Sequence, residues 1–148
     1  CEQDKKMQIN QISPDYSVAA QISKADVEAI AKAGFKSLIC NRPDEEIEPD
    51  LNAAAMALEA KKHGLSFVYN PISNQGMTQE NLDAQARAMA ETDGSTFAYC
   101  RSGTRCAICW SFVQGSVLPS EAIIEATASA GYNLEHLRPH LQALATQE

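Results

Sequence analysis

The sequence has little positive charge and no long hydrophobic run. Its 148 residues carry 12 Lys and Arg against 19 Asp and Glu, a formal net charge of −7. An acidic surface disfavours binding to nucleic acid or to an anionic membrane, because both partners carry negative charge. No segment is long and apolar enough to cross a membrane. We therefore predict neither partner, and any anion site must be a local positive pocket.

Internal repeats, linkers and low-complexity segments are also missing from the sequence. An apolar content of 45% and a charged content of 21% are typical of a globular protein. The length suits one domain with a real core. We therefore expect a single α/β domain over residues 9–148, preceded by a short polar tether at residues 1–8.

The chain lacks an initial methionine and begins at Cys1. A removed export signal, or a lipoprotein whose mature end is a lipidated cysteine, accounts for such a start and favours a periplasmic or exported protein. A shortened form of a cytoplasmic protein is the alternative.

Five cysteines cannot all pair within one chain, so a complete disulfide framework is excluded. Cys106 and Cys109 form a lone C-x-x-C pair. No second ligand pair accompanies them, so we predict no metal site, and no cofactor is expected either. Cys40 ends an apolar run and is predicted to be a small core residue.

Short apolar runs alternate with helical patterns along the chain. Ser23 and Asp26 resemble a capping box that opens a helix ending at Gly34. Further helices are predicted at 51–63, 78–91, 107–113, 120–131 and 134–144, and strands at 37–40, 66–69 and 96–99. This alternation predicts a mainly parallel sheet with helices on both faces, and residues 9–20 should add one or two edge strands.

Residues 96–109 are the most informative stretch. An apolar strand ends at Cys100, a small loop contains Gly103, and Arg105 ends the loop just before an apolar helix. Loop N–H groups and a helix N-terminus can hold an anion, and their field favours the cysteine thiolate. Arg105 can bind two oxygens of the same anion. The segment therefore supplies a nucleophile and an oxyanion site at the carboxyl end of a strand, where open α/β sheets bind ligands.

Three separated segments resemble a known bacterial family. They are 34–46, which reads GFKSLICNRPDEE, 100–105, which reads CRSGTR, and 130–134, which reads AGYNL. Together they are similar to the beta-lactamase-hydrolase-like, phosphatase-like domain family (DUF442). The resemblance implies a fold like that of dual-specificity and tyrosine phosphatases. It implies cysteine-dependent phosphatase chemistry, although some members of the family are described as sulfurtransferases.

The phosphatase interpretation gives each residue a role. Cys100 attacks phosphorus and forms a phosphocysteine, and Arg105 with the loop N–H groups stabilises the transition-state oxygens. The leaving oxygen needs an acid, for which Asp44 is the candidate, with Glu45 and Glu46 as neighbours that could also reach the site. The anion-binding loop comprises Arg101, Ser102, Gly103, Thr104 and Arg105.

Three departures from the phosphatase pattern keep alternatives open. Only four residues separate Cys100 from Arg105, one fewer than usual, as in rhodaneses that carry sulfur as a cysteine persulfide. The segment 71–76 contains no acid, where phosphatases of this type usually place an aspartate. Cys106 stands where serine usually follows the arginine, and its thiol could act as a resolving cysteine for Cys100.

The function classes that remain are phosphoester hydrolysis, sulfur transfer from a sulfane-sulfur donor, and anion binding without turnover. Each implies a small anionic substrate or ligand. Arg42 opens the acidic loop and either faces the same pocket or forms a salt bridge with Asp44 or Glu45. Arg101 is expected to be solvent-exposed. The sequence does not define an oligomeric state.

Overall fold

The structure, a computed structural model, describes residues 9–72, 77–92, 94–115 and 117–145. The tether predicted at residues 1–8 lies outside them. The strands are β1 Asn10–Ser13, β2 Tyr16–Ala19, β3 Phe35–Cys40, β4 Ser66–Tyr69 and β5 Ser95–Tyr99. The helices are α1 Lys24–Lys32, α2 Ala53–Lys62, α3 Gln79–Glu91, α4 Thr104–Val113, α5 Ser120–Ser129 and α6 Arg138–Ala145. Short 3-10 turns lie at Asp44–Glu46, Pro49–Leu51 and Glu135–Leu137.

The five strands form one sheet in the order β1-β2-β5-β3-β4. Strands β2, β5, β3 and β4 are parallel, and β1 pairs antiparallel with β2 at the edge. The predicted mainly parallel sheet is therefore confirmed. Strand β5 is central, which places Cys100 in the middle of the carboxyl edge of the sheet.

Helices cover both faces of the sheet, as the alternating pattern predicts. On one face, Leu38 of β3 packs in a cluster with Val27 and Ile30 of α1 and Met56 of α2. On the other face, Ile39 of β3 joins residues of α3, α4, α5 and α6. Successive side chains of a strand point to opposite faces, so these two adjacent residues serve two separate cores.

Side-chain caps fix where several helices begin. The Ser23–Asp26 capping box of α1 is present, and Thr78 forms a similar box with Asn81 at α3. Asn52 caps α2, so this helix begins at Ala53, two residues later than predicted, after the turn at Pro49–Leu51. Among the described residues, no helix has both the length and the apolar character needed to span a membrane.

Helix α4 begins earlier than the sequence predicted. Its N-cap is Gly103, which has a φ of +93°, and its first residue is Thr104. A glycine adopts this left-handed conformation without the strain that a side chain would cause. Arg105 therefore lies in the first turn of α4 rather than at the end of the preceding loop.

Candidate active site

Four loops meet at the carboxyl edge of the sheet, because β2, β5, β3 and β4 all end there. The loop after β5 begins with Cys100, whose N–H donates to the Ala19 carbonyl at the end of β2 (3.3 Å). The Asn41 N–H after β3 donates to the Tyr99 carbonyl (2.9 Å). These backbone bonds fix the neighbouring loops around Cys100, at the edge where the sequence places the site.

The Cys100 thiol is fully buried and surrounded by hydrogen-bond donors. The Cys106 thiol and the backbone N–H groups of Cys106, Ser102 and Gly103 bond to its sulfur. The Gly103 N–H lies 3.1 Å from Cys100 Sγ. These donors, of which the Cys106 thiol has the largest effect, lower the pKa of Cys100 to about 6, although burial alone would raise it. The thiolate is therefore the prevailing form at neutral pH.

Gly103 has no free space for a side chain next to Tyr132. A Cβ at this position would overlap the hydroxyl of Tyr132 and come within 3.4 Å of the Ala19 carbonyl carbon. The Tyr132 hydroxyl donates to the Ser102 carbonyl (3.2 Å) and accepts from Asn10 Nδ2 (3.0 Å). Tyr132 thus supports the loop from behind, a role that sequence reasoning did not assign to it.

Arg105 is held by the loop that follows β3. Its Nη1 and Nη2 atoms donate to the two carboxylate oxygens of Glu46, at 3.0 and 2.7 Å, and Nη1 also donates to the Ile72 carbonyl at 2.5 Å. The hydrogen bonds from Arg105 hold the pKa of Glu46 below its usual value. Among the described contacts, all three bonds leave from the η nitrogens and none from Nε.

Arg42 binds the same carboxylate from the other side. Its Nε donates to Glu46 Oε1 (3.4 Å), its Nη2 to the Glu46 carbonyl (2.7 Å) and its Nη1 to Gln21 Oε1 (3.2 Å). The partner is therefore Glu46 rather than the predicted Asp44 or Glu45. Arg42 is two residues after β3 and reaches Glu46 across the 3-10 turn at Asp44–Glu46.

Asp44 makes a hydrogen bond that orders its loop. Its carboxylate accepts from the Ala53 N–H (2.8 Å) at the start of α2, and its own N–H donates to the Tyr69 hydroxyl (2.9 Å). The segment in which the sequence lacks an acid falls largely on residues 73–76, which lie outside the described residues.

The remaining residues of the anion-binding loop lie around the Cys100 sulfur. Arg101 is exposed, as predicted, and its carbonyl accepts from the Gln21 N–H (3.4 Å). Ser102 Oγ donates to Thr104 Oγ1 (3.0 Å). A cavity of about 320 Å³ opens beside Ser102, lined by Asn10, Ala19, Ala20, Gln21, Ser102, Ala130, Gly131 and Tyr132.

A buried network of amides supports the site from below. Gln85 Nε2 donates to the Tyr16 hydroxyl (2.8 Å), which in turn donates to the Cys106 carbonyl (3.0 Å). Gln85 Oε1 accepts from Asn41 (3.1 Å) and Asn70 (2.9 Å). The only sequence signal for this network is that Asn41 and Asn70 directly follow the predicted strands at 37–40 and 66–69. Gln85 lies within a helical pattern and carries no such signal.

The other cysteines that the structure describes are Cys40, Cys106 and Cys109. Within the described ranges, no group of three or more His, Cys, Asp or Glu residues is placed to hold a metal ion. Cys40, Cys106 and Cys109 are buried and unpaired by disulfides. Burial raises the pKa of Cys109 to about 12 and keeps the pKa of Cys40 above its ordinary value.

Solved structures resemble this fold closely. A candidate phosphatase from Neisseria meningitidis Z2491 is 31% identical, with a TM-score of 0.80 over 94% of this chain and 99% of that chain. The structure of Tk-PTP in the active form is 15% identical, with a TM-score of 0.72 over 95% of this chain and 97% of that chain. The fold is therefore that of the dual-specificity and tyrosine phosphatases.

Sequence comparison identifies bacterial relatives. Beta-lactamase hydrolase-like proteins of Xylella fastidiosa Temecula1 and Agrobacterium fabrum C58 are 30% and 31% identical over 99 residues, which is 67% of this chain. The aligned region is 23% of the length of these relatives. The model of the family described as "Beta-lactamase hydrolase-like protein, phosphatase-like domain" matches residues 8–117. The chain therefore belongs to this family of phosphatase-like domains.

Proposed function

We propose that the protein is a cysteine-dependent hydrolase of a small anionic phosphoester, acting through a Cys100 phosphocysteine. The observation that carries the proposal is the Cys100 sulfur, which has a pKa near 6 inside a cradle of N–H groups. A thiolate that persists at neutral pH is a strong nucleophile. Membership in a phosphatase-like family supports phosphorus as the atom it attacks.

In the proposed first step, Cys100 Sγ attacks phosphorus, the S–P bond forms and the bond to the leaving oxygen breaks. The N–H groups of Arg101, Ser102, Gly103 and Thr104, with the Nε side of Arg105, stabilise the three equatorial oxygens. Water then attacks phosphorus and releases phosphate, which restores the Cys100 thiolate. No cofactor or metal enters either step.

Glu46 serves in this proposal as a positioning residue for Arg105. Its two oxygens bind the η nitrogens at 3.0 and 2.7 Å and fix the plane of the guanidinium. Because its pKa is lowered, Glu46 is ionised at neutral pH and is a poor proton donor. Arg42 holds Glu46 in place and thus acts as an accessory residue.

The proposed general acid is Asp44, in the same loop. To protonate the leaving oxygen, its carboxyl would first release the Ala53 N–H that it now binds at 2.8 Å. Asp44→Asn keeps an oxygen that can accept this hydrogen bond but cannot supply a proton. The variant should lower kcat for alkyl phosphates far more than for esters with good leaving groups, whose oxygens need little protonation.

The cavity beside Ser102 suits the organic part of the substrate. Its side chains are uncharged and combine the amides of Asn10 and Gln21 with hydroxyls and alanines. With about 320 Å³ available, it fits a compact, neutral and partly polar group. The proposed substrate is therefore a small phosphomonoester rather than a nucleic acid.

The test is turnover of para-nitrophenyl phosphate by the wild type, Cys100→Ser and Cys109→Ser. Loss of the nucleophile should reduce kcat by about 10³-fold or more. Cys109 lies outside the site, so Cys109→Ser serves as the control and should retain activity. Equal turnover by Cys100→Ser and wild type would overturn the mechanism.

Sulfur transfer through a Cys100 persulfide is the second candidate. It is favoured by the four-residue spacing between Cys100 and Arg105 and by the complete burial of Cys100, which suits a small donor. The measurement is Cys100-dependent thiocyanate formation from thiosulfate and cyanide. Inactivity in both assays, together with binding of inorganic phosphate, would instead favour an anion-binding module.

A further inference from the structure

One buried glutamine connects the two halves of the site. Gln85 of α3 is fully buried, and its Nε2 donates to the Tyr16 hydroxyl (2.8 Å), which donates in turn to the Cys106 carbonyl (3.0 Å). Its Oε1 accepts from Asn41 Nδ2 (3.1 Å) and from Asn70 Nδ2 (2.9 Å). Because an amide side chain has a donor atom and an acceptor atom, two separate branches of hydrogen bonds start from Gln85.

The first branch ends beside the proposed nucleophile. Cys106 lies in the first turn of α4, and its backbone N–H bonds to Cys100 Sγ. Gln85 acts as the donor to the Tyr16 oxygen, so the Tyr16 proton is directed to the Cys106 carbonyl. This bond fixes the backbone of Cys106 and with it the direction of the N–H that faces the sulfur.

The second branch ends at the arginine. Asn41 Nδ2 also donates to the Asn70 carbonyl (2.9 Å), and the Asn41 carbonyl accepts from the Ile72 N–H (3.0 Å). The Ile72 carbonyl in turn accepts from Arg105 Nη1 (2.5 Å). Gln85 therefore helps to fix the short segment after β4 whose carbonyl holds the guanidinium.

Stability alone does not account for this network. Tyr16, Asn41, Asn70 and Gln85 are each exposed by 3% or less. Polar groups lose hydration when they are buried, and apolar residues of the same shape can replace a bonded pair with little effect on stability. Within the described part of the chain, the buried Asn41 Oδ1 has no hydrogen-bond partner, which is unfavourable. Local choices that do not favour stability are expected at functional sites.

We propose that Gln85 is a positioning residue that holds the nucleophile and the arginine of the site in place relative to each other, the first through Tyr16 and the second through two asparagines. The proposal rests on the proposed function for the roles of Cys100 and Arg105. Among the described hydrogen bonds Gln85 makes none to Cys100 or to Arg105, so it acts through the residues that it bonds.

Two measurements separate the branches, and neither requires turnover. The first is the pH at which iodoacetamide labelling of the Cys100 peptide, followed by mass spectrometry, is half-maximal. It reports the donors around the sulfur. The second is the concentration of inorganic phosphate that halves this labelling at pH 8, which reports how well the loop and Arg105 hold an anion.

The variants change geometry and leave the charges around Cys100 as they are. Burial raises the pKa of Tyr16 well above its ordinary value, so its hydroxyl is neutral over the pH range of the experiment. Every variant keeps the other titratable groups that interact with Cys100, which are Cys40, Arg105, Cys106 and Tyr132.

Each variant cuts a defined part of the network. Tyr16→Phe keeps the ring stacked on Trp110, with centroids 6.2 Å apart, but removes the hydroxyl. The half-maximal pH should rise by about one unit, because the Cys106 N–H loses its fixed direction, while phosphate protection should not change. Asn41→Ala should do the reverse and raise the protecting phosphate concentration about tenfold. Gln85→Met keeps the length of the side chain, cuts both branches and should shift both values.

Ser111→Ala is the matched control, because it removes another buried hydroxyl that donates to a carbonyl of α4, that of Ala107 (2.9 Å). Both values should equal those of the wild type. The proposal is overturned if Tyr16→Phe has the same half-maximal pH as Ser111→Ala, or if Gln85→Met shifts fewer than two values. If circular dichroism shows Gln85→Met unfolded, a shift of the wrong value in Tyr16→Phe or Asn41→Ala overturns it.

Failure of the proposed hydrolase would be recognised separately. Absence of para-nitrophenyl phosphate turnover in the wild type would remove the hydrolase, while the expected shifts in labelling and protection would still uphold the positioning role of Gln85. Turnover by the wild type together with unshifted values in Gln85→Met would keep the hydrolase and remove the positioning role.

Discussion

The N-terminus of α1 and the N-terminus of α4 differ in what their free backbone N–H groups bond to. Both helices follow parallel strands and both leave backbone N–H groups without partners in the helix. At α1, Ser23 accepts from the Asp26 N–H and the Asp26 side chain accepts from the Ser23 N–H. At α4 the N-cap is Gly103, with no side-chain cap in the described part of the chain.

The difference separates a helix start that is closed by its own side chains from one whose N–H groups serve the proposed nucleophile. The α1 donors are satisfied by side chains of the same helix, so they offer nothing to a ligand. At α4, the N–H groups of Gly103 and Cys106 point to the Cys100 sulfur instead. A missing cap is therefore the local condition for a stabilised thiolate.

Among changes within α4 and α1, the largest expected effect comes from replacing the guanidinium of Arg105 in the first turn of α4. Arg105→Lys keeps the charge but loses the paired contact with Glu46, so the cation no longer has a fixed direction. We expect kcat/KM for para-nitrophenyl phosphate to fall by about 10²- to 10³-fold. Arg138→Lys, on an exposed helix start, provides the matched control with unchanged activity. A similar loss in both variants would point to general destabilisation.

The pH dependence of Cys100 alkylation tests the electrostatics of the α4 terminus. With a pKa of about 6, the thiolate fraction should fall about tenfold for each pH unit below that value. The rate of iodoacetamide labelling at Cys100 should therefore be half-maximal near pH 6. A half-maximal rate near pH 9, the ordinary value for a thiol, would remove the stabilised thiolate.

The lowered pKa of Cys100 also makes the stability of the fold depend on pH. The folded state lowers the pKa of Cys100 from 9.0 to about 6, so the thiolate stabilises the native state fully above pH 9. That contribution declines as the pH falls from 9 to 6 and is lost below 6. Denaturant titrations of wild type and Cys100→Ser at these pH values should show this difference in unfolding free energy.

The smallest expected effects come from changing the two N-caps themselves. Gly103→Ala places a side chain at positive φ against Tyr132 and should destabilise the fold by about 1–3 kcal/mol. Ser23→Ala removes only a cap and should cost about 1 kcal/mol. Only Gly103→Ala should lower activity, because only the α4 terminus contacts the Cys100 sulfur. An equal loss of activity in Ser23→Ala would mean that the α4 terminus is not special.

The helix starts and strands could largely be predicted from the sequence, because they depend on neighbouring residues. The Ser23–Asp26 box, the Thr78 cap and the strand at Ser66–Tyr69 each depend on neighbouring residues. The position of Cys100 at the carboxyl end of a parallel strand follows from the alternation of strands and helices. Local patterns suffice there because propensity, capping and hydrophobic burial agree.

The partners of Arg105 and Arg42 depend on contacts that no local pattern encodes. Glu46 lies 59 residues before Arg105 and reaches it because β3 and β5 are adjacent in the sheet. The start of α4 at Thr104 was likewise missed, since it depends on the left-handed conformation of Gly103 beneath Tyr132. The strand order that creates these contacts comes from packing across the whole chain.

The ion pairs of Glu46 with Arg42 and Arg105 affect how fast an anion reaches the site. Arg42 and Arg105 carry two positive charges, while Glu46 and the Cys100 thiolate carry two negative ones, so these four groups cancel. The whole chain has a net charge of −7. An approaching anion is therefore not drawn in by a long-range field, and capture relies on short-range hydrogen bonds. Salt should screen the repulsion, so association should accelerate with ionic strength instead of slowing.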